Sequence, residues 1–146
     1  MAQKTERWFM NHLIETCKDG ERGFRYAADH VGDGAMKALF LDIAAQREAF
    51  AAALLTHAHR MGGANESEGT VAGALHRGWM TLRDALGGAH HDAALLTEAE
   101  RGEHAALAAY TEALTVVLTP GAREEIERQR GLVEQSYTRL RTATPV

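Results

Sequence analysis

Glu100-Arg101-Gly102-Glu103 places two carboxylates one helical turn apart. Side chains at i and i+3 share a helix face, so both can serve one interior space. Glu21 sits on the flank of a separate amphipathic stretch and could supply a third carboxylate. Oxygen-rich sets suit hard cations, so Glu21, Glu100 and Glu103 could hold iron or manganese. A second chemistry competes. Glu103 falls at the centre of an apolar stripe that includes Leu95, Leu96, Ala99, Ala106, Leu107, Tyr110 and Leu114. Arg47 is central in the same way to Met36, Leu39, Phe40, Ile43, Ala44, Phe50, Ala51 and Leu54. A carboxylate buried in such a stripe costs several kcal/mol unless it is paired. A guanidinium can give it two parallel hydrogen bonds, and Gln129, inward on the last stripe, can meet remaining lone pairs. The expected arrangement is a buried polar layer of Glu21, Arg47, Glu100, Glu103 and Gln129 that sets helix register. A cation at the centre of a proposed cation site argues against metal, so the structural reading ranks first.

These residues need long helices to carry them inward. The first is expected from Thr5 to Val31, with Phe9, Leu13, Cys17, Phe24, Ala27 and Ala28 in its stripe. Gly20 and Gly23 lie within it, where glycine costs about 1 kcal/mol against alanine, which suggests close approach of another helix. Glu15 and Asp19 point away from the stripe. Gly32-Asp33-Gly34 is a short turn implying an antiparallel neighbour. The second helix is expected from Ala35 to Met61. Glu21 and Arg47 then lie at similar distances from the turn, and so at similar height. Gly62-Gly63-Ala64-Asn65 ends the second helix. Thr70 to Leu86 reads as a shorter crossover helix packed on the outside, anchored by Trp79 with His76 and Arg77. The fourth element runs from His90 to Leu118. After Thr119-Pro120-Gly121 the last helix continues to Thr142, with Pro120 suited to a first turn.

Composition narrows the classes further. A chain of 146 residues with 45% hydrophobic and 25% charged residues reads as one globular domain over 1–146. Two prolines and abundant alanine favour helix over sheet. A net charge of −4, with arginines scattered among acids, argues against a nucleic-acid surface. No apolar run approaches the roughly 20 residues that span a bilayer. Cys17 is the sole cysteine, so no internal disulfide forms, and a reducing cytoplasm fits. In the stripe it reads as a small buried hydrophobe rather than a reactive thiol. His57, His59, His90 and His91 lie at helix ends and read as solvated surface, and His104 is rotated off the core.

Several segments together resemble a known group. They are Leu13-Ile14-Glu15-Thr16-Cys17-Lys18-Asp19-Gly20-Glu21 with Gly23-Phe24, Gln46-Arg47, Gly73-Ala74-Leu75-His76-Arg77-Gly78-Trp79, and Glu100-Arg101-Gly102-Glu103. The chain is similar over its whole length to a bacterial family of uncharacterised ferritin-like four-helix bundles, a domain-of-unknown-function group. The resemblance implies an all-α ferritin-like fold with an added crossover helix between the second and third long helices. Iron handling or stress protection would follow only by analogy of fold, since one architecture hosts many functions. Di-iron bundles of this class use Glu-x-x-His on two helices, and here that place reads Arg47-Glu48-Ala49-Phe50.

The expectation is therefore a cytoplasmic, non-enzymatic bundle with a structural or stress-related role, self-associating, a dimer first. A divergent di-metal protein using Glu21, Glu100 and Glu103 stands second. An interaction module presenting the crossover helix stands third.

Overall fold

The computed structural model describes residues 5–60 and 91–143. Among them lie four long helices and no strand: α1 (Glu6–His30), α2 (Gly34–Arg60), α3 (Asp92–Ala113) and α4 (Pro120–Thr142). None of them is long and apolar enough to cross a membrane. The expected crossover helix, with His76, Arg77 and Trp79, lies outside the described residues.

Local chemistry sets the helix ends. The Thr5 hydroxyl caps α1 by accepting from the Trp8 N–H at 3.2 Å. Asp33 plays the same part for α2, accepting from the Met36 N–H at 2.9 Å. Pro120 occupies the first turn of α4, where its missing N–H costs nothing. The third long helix ends earlier than the expected Leu118. Leu114 is its C-cap, and the β-branched run Thr115-Val116-Val117 leaves the helix. Arg123 Nη2 donates to the freed carbonyls of Leu114 and Val116, both at 3.2 Å, which stabilises that earlier stop.

The helices form a square in which α1 neighbours α2 and α3, and α4 neighbours α2 and α3. Bonds at the two ends give the directions. At one end the Asp92 carboxylate, at the start of α3, accepts from the N–H groups of Gly32 and Asp33 at 2.8 and 2.9 Å. At the other, Glu6 Oε1 at the start of α1 accepts from the Thr119 N–H at 2.6 Å. So α3 runs antiparallel to α1. Arg139, near the end of α4, reaches Asp42 on the first part of α2 at 3.3 Å, so α4 runs antiparallel to α2. The order is up, down, down, up, and α2 ends at the opposite end of the bundle from the start of α3.

Among the described residues the core falls into two apolar clusters. One gathers Phe9, Leu13, Cys17, Phe50, Leu54, Tyr110 and Ile126 toward the Glu6 end. The other gathers Phe24, Met36, Phe40, Ile43, Leu95 and Leu140 toward the Asp92 end. Asp19, expected to face away from the core, is buried at 3% exposure, while Glu15 is half-buried. Helix α1 is thus covered on more than its Leu13–Cys17 face.

Candidate functional site

Arg47 on α2 and Glu103 on α3 meet between the two apolar clusters. Each lies on an apolar stripe that packing drives inward, and they are 2% and 1% exposed. Arg47 Nη2 donates to Glu103 Oε2 at 2.6 Å, and Nη1 donates to Oε1 beside it. The two donors and two acceptors form a parallel fork, the strongest geometry available to this pair. Burial alone would lower the Arg47 pKa, but Glu103 outweighs that and holds the guanidinium charged, above its ordinary value. Arg47 Nη2 also donates to Gln46 Oε1 at 3.1 Å, which accepts from Ser136 Oγ of α4 at 3.3 Å. Two cations stand over the Phe50 ring, with the Arg47 and Arg128 guanidinium carbons 5.7 and 5.8 Å from its centroid.

A second chain of hydrogen bonds runs beside the ion pair. The Tyr110 hydroxyl of α3 donates to Gln129 Oε1 of α4 at 2.5 Å. Its proton is then committed, so it accepts from the Cys17 thiol of α1, 3.1 Å away. Gln129 Nε2 donates to the Phe50 carbonyl of α2 at 3.3 Å and to Glu125 Oε2 at 2.6 Å. All four helices are joined in this one chain. Burial pushes the Cys17 thiol up to about 11 and holds the Tyr110 phenol well above its ordinary value. Both stay protonated at neutral pH, and the thiol is a poor nucleophile.

Of the five residues expected to share a polar layer, only Arg47 and Glu103 bond to each other. Gln129 is buried at 0% exposure, but it serves Tyr110, Phe50 and Glu125 instead of the Glu103 lone pairs. Glu21 is turned to Arg25 of its own helix at 3.0 Å, the next residue but three, where an exposed partner is available without desolvation. Glu100 is half-buried and makes no hydrogen bond or ion pair among the described residues. The three carboxylates Glu21, Glu100 and Glu103 therefore do not converge. Among the described residues no three histidine, cysteine or acidic side chains come together as a set that could hold a metal. His59, His91 and His104 are exposed, and His57 is half-buried beside Gly121.

The Cys17–Tyr110–Gln129 chain went unread in the sequence. Its signal was a tyrosine inside an apolar stripe, because a buried phenol needs a partner. Ser136 was expected inward on the last stripe and is buried there, whereas Gln46 carried no such signal.

A family model described as domain of unknown function DUF2383 matches residues 9–116. The match takes in Cys17, Arg47, Glu103 and Tyr110, and stops short of Gln129 and Ser136. No curated protein matches the chain.

Proposed function

The chain belongs to the DUF2383 family of unknown function, and from that footing we propose that it is a ferritin-like bundle with a non-enzymatic, structural or stress-related role. In this reading Arg47 takes the central position that a metal holds in the di-iron members of the fold class. One observation carries it: both oxygens of the buried Glu103 are engaged by Arg47, whose charge already compensates that carboxylate and opposes a metal ion beside it. The up, down, down, up order supports the ferritin-like part, because that fold class joins its second and third helices by one long connection. The ion pair contributes register and identity of partners, a documented use of buried charge.

The test is metal content. Protein purified without a histidine tag is analysed for iron, manganese and zinc, then titrated anaerobically with Fe(II) and Mn(II). The expected outcome is far less than one metal per chain and no saturable heat. One or two equivalents bound tightly by the wild type, and lost in Glu103→Gln, would overturn the proposal in favour of a metalloprotein.

A further inference from the structure

A cavity of about 10 Å³ lies against the ion pair, lined by Thr16, Gly20, Phe24, Arg47, Gly102 and Glu103. That volume is close to the minimum of about 10–15 Å³ that admits one water molecule. Two glycines form part of its wall, one from α1 and one from α3. A Cβ built on Gly20 would stand 3.6 Å from Arg47 Cγ and 4.0 Å from Nη1, which is ordinary contact. Glycine is therefore not demanded there by a clash with Arg47, although it weakens the helix. The room it leaves is polar on one side. A guanidinium carries five N–H donors. Three hydrogen bonds engage Arg47 among the described residues, and its Nε has no partner at 2% exposure. One N–H on Nη1, the nitrogen nearest Gly20, is also unspent. Glu103 keeps lone pairs beyond the two that Arg47 uses. The Thr16 hydroxyl donates to the His12 carbonyl at 2.8 Å and still has capacity to accept.

We propose that one water molecule occupies this cavity as a fixed member of the site. It accepts from an Arg47 N–H and donates to the Glu103 carboxylate and the Thr16 hydroxyl. Three bonds of that kind are the usual complement of an internal water. The inference rests on the reading of Arg47 and Glu103 as a permanent ion pair, and it assigns Gly20 and Gly102 the task of keeping space for the solvent molecule.

Two measurements test it. A high-resolution crystal structure is expected to show one ordered water within hydrogen-bond reach of Arg47 and Glu103. Magnetic relaxation dispersion of the water signal is expected to count one fewer long-lived water in Gly20→Ala, or in Gly102→Ala should the first variant fold poorly. A dry cavity beside an intact Arg47–Glu103 pair would overturn the proposal alone, as would an unchanged water count in both variants. Density heavier than water, ligated by Glu103 with Arg47 displaced, would instead overturn the ion-pair reading beneath it.

Discussion

Arg47 and Glu103 join the two helices that face each other across the diagonal of the bundle. Helices α2 and α3 share no close backbone contact, so the fork between these side chains is what spans the centre. It lies between two apolar clusters, where neither charge is exposed to bulk solvent. The pair is consequently worth less as a source of stability than as a constraint on which residues can stand opposite one another.

The first prediction concerns this asymmetry. Arg47→Met or Glu103→Leu alone leaves a stranded charge and should cost about 3–5 kcal/mol. The double substitution should recover most of that loss and lie close to wild type. Urea unfolding of the three variants gives the coupling energy. Additive single losses would show that the two side chains do not interact.

Tyr110→Phe should cost about 1–3 kcal/mol, because it strands the Gln129 carbonyl oxygen and the Cys17 thiol in a dry core. The ring itself is kept, so cavity formation does not contribute. A denaturant midpoint equal to wild type would mean that Gln129 finds another donor.

Alkaline pH should weaken the fold through Cys17. Its folded pKa is raised by burial from 9.0 to about 11, so an unfolded chain loses the thiol proton first. This contribution is fully present below the unfolded value and is lost as pH rises from there through about 11. Tyr110 adds to the loss in the same direction at higher pH. Unfolding free energy measured across this range should fall less steeply in Cys17→Ala than in wild type. Equal slopes would contradict the burial of the thiol.

Acid should act through Glu125. Burial alone would raise its pKa, but hydrogen bonds from Arg128 and Gln129 outweigh that and lower it. A depressed carboxylate contributes stability above its unfolded pKa and loses it as pH falls through the folded value. The acid limb of the stability profile should therefore be shallower in Glu125→Gln. NMR titration of the Glu125 side chain checks the direction of the shift independently.

Asp92→Ala should cost about 1–3 kcal/mol, since it removes two charge-assisted hydrogen bonds to the N–H groups of Gly32 and Asp33. Amide exchange at those two positions should accelerate far more than exchange in the middle of α2. Uniform acceleration across the bundle would mean that Asp92 does not act locally on the turn.

The sequence alone determined that Arg47 and Glu103 would be buried. Each stands at the centre of a helical-period stripe whose other members have no reason to face water, so burying the stripe takes the charge with it. The starts of α1, α2 and α4 were equally legible, because Thr5, Asp33 and Pro120 act within one turn of chain. Partnership was a different matter. Glu21 and Arg47 lie at similar distances from the Gly32–Gly34 turn, yet Glu21 takes Arg25, which is nearer and solvated. Cys17, Tyr110 and Gln129 belong to three helices, and their chain of bonds depends on axial offsets that no single helix encodes. A stripe specifies which face turns inward. The rotation and height of the neighbouring helix, settled only when all four pack together, specify what that face meets.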